Sequence, residues 1–271
     1  VRILSIDSSL GTQLLIVDVP DARTDVAGAV SIDLNVLVSA QQDSPRRHAE
    51  SLGPMLADAL AHPAVAAAPL DAVVAATGPA PFTGLRAGLI TARAVGRARG
   101  IPVYGVPSLD AVARAALDRL AEQGGEAADT GHAGDEVPSA TVLVATDARR
   151  KEVYAARFRA RGSDDVERLG DYEVLSPVAL REHEESGVQP PADAVAGSGA
   201  ALYPGLAAGR EVLAPVSGDA ATQVRIALAR LRALTGAWEN LEGDALREAG
   251  LDTRPLYLRR PDVHMPAGRA R

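Results

Sequence analysis

The segment Ala76-Thr-Gly-Pro-Ala-Pro-Phe-Thr-Gly-Leu-Arg-Ala-Gly88 restricts the fold of this 271-residue chain more than any other stretch. The apolar run Asp71 to Ala76 reads as a strand before it, and Leu85 to Arg99 as a helix after it. Gly78, Pro79, Pro81 and Gly84 fill the turn between them. A strand, a glycine-rich turn and a helix N-terminus aim backbone N–H groups at an anion. The turn is not a P-loop, because Leu85 follows Gly84 where lysine is required, and it is not a G-x-G-x-x-G fingerprint. A tight turn whose glycines let the helix pack closely explains the pattern equally well. In the helix, Gly88, Ala92 and Gly96 stand at i, i+4 and i+8, a ridge that permits close helix approach. Arg93 and Arg97 read as a solvated face.

The flanking sequence extends this unit. Ile3 to Asp7 reads as a buried strand, Ser8 to Gly11 as a turn and Leu14 to Val17 as a second strand. Val30 to Val38 suits a third, with Val30, Ile32, Leu34 and Val36 alternating. Ser44-Pro45 opens a helix as N-cap and first residue, with Leu52, Leu56, Ala59 and Leu60 on one face and a kink expected at Gly53-Pro54. Ile101 to Tyr104 is a further strand, and Ser108 caps a helix to about Leu120. Residues 1–120 therefore read β-β-β-α-β-α-β-α. Residues 122–138 are acidic and rich in Gly and Ala, and read as a flexible loop. Strands at Thr141–Thr146, Glu152–Arg159, Tyr172–Leu175 and Ala194–Ala196 follow. Helices are expected at Pro177–Glu184, weakly at Ala200–Ala208, and strongly at Ala220–Thr235. This second half repeats part of the first, smaller and less regular.

Composition narrows the function classes. The formal charge is −7, whereas a free-standing nucleic-acid binder usually carries a basic excess. There is no cysteine, which excludes disulfides and thiolate metal sites. No apolar run approaches the ~20 residues of a membrane span, and the first residues lack the pattern of a signal peptide. The expectation is a soluble cytoplasmic protein. The histidines, His48, His62, His132, His183 and His264, are scattered, so no metal site is expected. No nucleophile has a persuasive partner, and no catalytic residue is assigned. Asp7 ends the first strand beside Ser8, Ser9 and Thr12. Such a group can hold hydrated Mg²⁺ and phosphate, or simply form an Asx turn.

Five segments, in order, resemble the TsaB (YeaZ) family of tRNA threonylcarbamoyladenosine synthesis. They are Ile6-Asp7-Ser8-Ser9; Arg47-His48-Ala49-Glu50 followed by Leu52 and Pro54; Gly78 to Gly88; Asp147 to Tyr154; and Pro255 to Arg259. Ala80 and Pro81 replace a Gly-Ser pair of the family's hallmark, which stiffens the loop. The acidic 122–138 segment and the tail beyond Arg260 are peculiar to this chain. The resemblance implies an α/β, actin/hexokinase-like (ASKHA, ribonuclease H-like) fold of two β-β-β-α-β-α-β-α-type halves, the second smaller. The corresponding units are residues 1–105 and 106–218, with a helix at about 219–236 packing back on the first and a tail at 237–271.

It also implies a catalytic paralogue, TsaD, whose metal-binding His-x-x-x-His pair corresponds here to Ser108 and Val112. Neither residue replaces an imidazole at a metal. The chain then reads as a non-catalytic subunit. Its partners would be a TsaD-like paralogue and a TsaE-like ATPase, with tRNA reached indirectly and self-association when the paralogue is absent. The expected partner face is His48, Glu50, Leu52, Leu56, Leu60, Gly88, Ala92 and Gly96. Asp7, Ser8, Ser9, Gly78, Thr83, Gly84 and Arg86 would be a vestigial phosphate site. No cofactor is expected to be held tightly, ATP or ADP and Mg²⁺ belonging to the interface of the complex. The competing function is an ATP-dependent small-molecule phosphotransferase using Asp7, Mg²⁺, the 78–88 loop and Gly197-Ser198-Gly199.

Overall fold

A computed structural model describes residues 1–20, 32–42, 48–127, 140–235 and 243–259. In chain order the first half contains β1 (Arg2–Asp7), β2 (Thr12–Asp18), β3 (Asn35–Gln42), α1 (His48–Ala61), the short α2 (Pro63–Ala66), β4 (Ala72–Ala76), α3 (Phe82–Arg99), β5 (Val103–Val106) and α4 (Ser108–Ala127). The second contains β6 (Thr141–Asp147), β7 (Val153–Arg161), β8 (Asp165–Leu175), α5 (Pro177–Glu185), β9 (Ala194–Ala196), α6 (Ser198–Leu202), a 3₁₀ turn (Pro204–Leu206) and β10 (Glu211–Leu213). Helices α7 (Ala220–Thr235) and α8 (Asp244–Glu248) follow.

The sheets are ordered β3-β2-β1-β4-β5 and β8-β7-β6-β9-β10. In each, three antiparallel strands continue into two parallel ones. The two halves thus share one complete topology, the two-fold repeat of the ASKHA-like fold. The sequence shows this repeat only in part: β9 is read at Ala194–Ala196, but the three residues of β10 are too short to display a period.

The strand alternation assigns the faces. In β1, Leu4 and Ile6 join the core beneath α1 and α3, while Ile3 joins the core beneath α7. In β6, Val142 and Val144 meet α4, and Leu143 and Ala145 meet the α5–α6 side. Helix α7 supplies Val224, Ala227, Leu228 and Leu231 to the first half's core. Helix α3 ends at Gly100, which has φ +66° and donates to the Gly96 carbonyl, the usual left-handed helix stop.

Three expectations change. The third strand lies at Asn35–Gln42 rather than Val30–Val38; a register shift opposite Ile16/Val17 leaves Val36 half exposed while Ile32 and Leu34 pack on the core. Helix α4 continues through residues 122–127, expected to be loop, helped by the Arg119–Glu122 pair at i, i+3. The strand expected at Tyr172–Leu175 is the end of a longer one that begins at Asp165; helix α1 contains Gly53-Pro54 in its interior. The Ser44-Pro45 start, residues 128–138 and the tail beyond Arg260 lie outside the described residues.

Helix α7 also joins the two halves. Arg230 lies 2.6 Å from Asp110 of α4 and 3.0 Å from Asp165 of β8, all three buried. Arg225 pairs with Asp118 at 2.6 Å and Asp164 at 2.7 Å. Burial alone would lower the Arg230 pKa, but Asp110 and Asp165 hold it above its ordinary value. Arg230→Ala strands two buried carboxylates. It should lower stability by about 3–5 kcal/mol in denaturant titration, whereas Arg247→Ala, an exposed pair with Asp244, should change it by less than about 1 kcal/mol.

Candidate functional site

The ends of β1, β4 and β6 converge on a cleft between the halves. Its walls include Ser9, Pro79, Ser108, Val112, Asp147, Ser198 and Gly218. The free volume is about 20 Å³, room for roughly one water.

Each wall is committed to the fold. Ser108 receives the Gly78 amide on its hydroxyl at 3.1 Å, and its own amide donates to the Gly78 carbonyl at 2.7 Å. These reciprocal bonds tie the 78–88 loop to the start of α4. Val112 is buried among Leu109, Val144 and Ala196. Gly218 covers the cleft from the other side; a Cβ there would lie 2.9 Å from Ala111 and 3.5 Å from the Asp7 carboxylate.

Alternation along β1 turns Asp7 toward α7 and Ser8 toward α3. Asp7 accepts from the Ser9 amide at 2.7 Å, an Asx-type turn, and from the Gln223 side chain at 2.7 Å. Burial, reinforced by Asp219, pushes its pKa up to about 6 against these two donors. Ser8 donates to the Gly84 carbonyl at 2.7 Å and accepts from the Gly88 amide at 3.1 Å. Both groups serve packing where a vestigial phosphate site was expected. Thr83 and Arg86 are exposed, and Arg86 turns away from the cleft to donate to the Tyr257 hydroxyl at 2.9 Å.

The expected partner face is corrected in part. Gly88, Ala92 and Gly96 are buried against their own sheet. A Cβ on Gly88 would lie 2.2 Å from the Ser8 hydroxyl, and one on Gly96 2.3 Å from Val103. Leu52 is buried beneath α1. The close approach inferred from this small-residue ridge is real, but it is helix on sheet. Leu56 and Leu60 are half-buried, and Glu50 is exposed. His48 begins α1. The large apolar side chain that α3 turns outward beyond its first turn is Ile90, 64% exposed.

The glycines of the competing function also serve packing. A Cβ on Gly197 would meet the Ala145 carbonyl at 2.4 Å, and one on Gly199 would meet Val153 at 2.7 Å. Ser198 accepts from the Asp147 amide at 3.0 Å. Among the described residues, no group of three or more His, Asp or Glu could hold a metal ion, and no helix is long and apolar enough to cross a membrane.

A second concavity was not foreseen. The C-terminal segment runs from α7's side of the first half across to the second. The Gly105 amide donates to Leu251 and the Leu256 amide to Thr77, both at 2.8 Å. Arg93, expected to be solvated, donates to the Thr253 carbonyl at 2.6 Å. Beyond them Leu258 packs on the second half's core, and Arg259 pairs with Glu152. Between this strap, the start of α3 and the β6–β7 turn lies a cavity of about 210 Å³. Arg149, Arg150 and Lys151 in that turn have φ of 64°, 55° and 60°. Left-handed backbone costs L-residues roughly 1–2 kcal/mol each. The signal for this site was present in the Asp147–Tyr154 and Pro255–Arg259 motifs, but nothing in their sequence spacing brings them together.

The cleft between the two halves is thus narrowed by groups committed to the fold, in an ASKHA-like arrangement of two five-stranded sheets. The chain has the fold of YeaZ from Pseudomonas aeruginosa: the structures superpose over 95% of this chain and 99% of that one, at 22% identity and TM-score 0.60. A second P. aeruginosa structure, an uncharacterised protein with similarity to peptidase YeaZ, matches over the same shares at 24% and TM-score 0.62. Residues 40–174 match the family model of TsaD, tRNA N6-adenosine threonylcarbamoyltransferase. An uncharacterised Mycobacterium tuberculosis protein is 48% identical over 126 residues, 46% of this chain and 49% of that protein. The alignment thus spans about half the length of that relative. A tRNA N6-adenosine threonylcarbamoyltransferase of Rhizobium meliloti is 40% identical over 65 residues, 24% of this chain and 18% of the enzyme.

Two measurements check this geometry. Ala92→Leu should lower stability by ~1–3 kcal/mol through overpacking, read as a lower melting temperature. The Asp7 carboxyl has a raised folded pKa, so the folded state binds the extra proton between about pH 4 and 6. Its contribution to stability falls as pH rises through that window. Asp7→Asn, with the Gln223 amide reversed, should remove this dependence, and its stability relative to the parent should improve above pH 6 and not below pH 4.

Proposed function

We propose that this chain is a non-catalytic subunit of the complex that forms N6-threonylcarbamoyladenosine at position 37 of tRNAs reading ANN codons. It docks on a TsaD-like catalytic paralogue and activates it, and a TsaE-like ATPase joins the pair. The observation that carries this reading is the use of Ser108 and Val112. The resemblance matches them to the metal-binding histidines of the transferase, and here one hydroxyl fastens the 78–88 loop while the valine fills the core. The partial match to the transferase family model and the YeaZ fold support the pathway.

The phosphotransferase alternative is disfavoured by the same geometry. Phosphoryl transfer needs a metal and a triphosphate held in line. The cleft offers about 20 Å³, and the Asp7 carboxylate beside it already accepts from Ser9 and Gln223. Nucleotide and Mg²⁺ belong instead at the interface with the partner.

The outward sides of α1 and α3 carry the docking, with Leu56, Leu60 and Ile90 as its apolar centre. In the paralogue's absence the same face pairs two copies. A TsaD-like partner should co-elute with the chain. Ile90→Asp should weaken that complex at least about tenfold, ~1.4 kcal/mol or more, without lowering the melting temperature. Unchanged affinity would remove α3 from the interface, and failure of the parent chain to bind any TsaD-like partner would overturn the subunit reading.

A further inference from the structure

The cavity beside the C-terminal strap has no part in the docking just described. We infer that it binds one unpaired nucleotide of an RNA strand, its base against Phe82 and Tyr257 and its phosphate at the Arg149-Arg150-Lys151 turn. The inference rests on the tRNA-modification reading and deepens it, because it gives this subunit a direct contact with RNA.

Three observations carry it. The first is size. At about 210 Å³ the cavity is below the ~300–1,000 Å³ of pockets that enclose a whole small-molecule ligand, and suits a single base or phosphate. The second is an aromatic platform. Phe82 and Tyr257 are 38% and 40% exposed, with ring centroids 5.1 Å apart. The Arg86 guanidinium lies 4.0 Å from the Phe82 centroid. Exposed rings with a stacked arginine accept bases irrespective of sequence. The third is charge. Arg149, Arg150 and Arg259 line the cavity and the exposed Lys151 follows them in the turn, against Asp147, which pairs with Arg149 at 3.2 Å, and Glu152, which pairs with Arg259. A local cationic excess thus stands on a chain of formal charge −7. An acidic peptide would find the charges but would have no use for the rings.

The turn's conformation fits this role. Three successive left-handed residues, all exposed, stand at the end of the β6–β7 hairpin. The Glu152 amide bonds the Arg149 carbonyl at 3.1 Å, and the Ala148 amide the Glu152 carbonyl at 3.0 Å. The cations are therefore held on a closed turn rather than on a loose loop.

The test uses the full chain, a mixed-sequence 12-nucleotide single-stranded RNA and, separately, AMP as the free-nucleotide probe. The RNA should bind at low salt. The triple variant Arg149→Gln, Arg150→Gln, Lys151→Gln should lose about tenfold or more in affinity. Its dependence of log affinity on log salt should flatten by roughly 0.7, the loss expected for one phosphate contact on a single strand. Phe82→Leu should cost about tenfold and leave the slope unchanged. Melting temperatures report that each variant is folded. No RNA binding by the parent chain, a triple variant that binds like the parent, or AMP that competes as well as the RNA would each overturn the inference. Partner affinity, measured on the same proteins, separates the two readings. A chain that binds its partner but not RNA loses only this site, and one that binds RNA but no partner loses only the subunit assignment.

Discussion

The Arg230 guanidinium, gripped by Asp110 and Asp165, fixes how the two halves of this protein meet. Helix α7 follows the second half in sequence but packs on the first half's sheet. Its polar side reaches back to α4 and β8 through Arg225 and Arg230. Tyr172 adds a 2.6 Å bond to Asp110, and burial with that carboxylate drives its pKa well up. A single helix is thus apolar toward one half and ionic toward the other. Such buried pairs contribute little over apolar packing, but breaking them is costly, so they favour one arrangement of the halves over others.

The cleft takes its character from that fixed arrangement. With the halves held, the 78–88 loop, α4 and the 216–218 segment meet around a cleft of only about 20 Å³. The elements of an anion site are all present: a strand end, a glycine turn and a helix start. Their polar groups are turned to one another, Ser8 to Gly84 and Gly88, Ser108 to Gly78, and Asp7 to Ser9 and Gln223. Ser108 and Val112 take part in this closure, the hydroxyl fastening the loop and the valine filling the core beside it.

Much of the fold was legible in the sequence. Apolar runs such as Ile3–Asp7 and Thr141–Thr146, and the 3.6-residue pattern of Ala220–Thr235, identify their elements because burial imposes the period. The outer strand β10 was not, because its three residues carry no period. The site was legible as motifs but not as an arrangement. The ridge Gly88-Ala92-Gly96 signals close packing without saying on what. Sequence spacing likewise cannot bring Tyr257 beside Phe82 or Arg259 beside Glu152, since those contacts depend on the strap crossing both halves.

On the proposed reading this chain acts through its surfaces, and its cleft serves its own fold. Purified chain, purified TsaD-like partner and their mixture, each given threonylcarbamoyl-adenylate and tRNA, test that claim most directly. The account predicts modified adenosine well above the partner-alone level in the mixture and none with this chain alone. Turnover by this chain without the partner would contradict it.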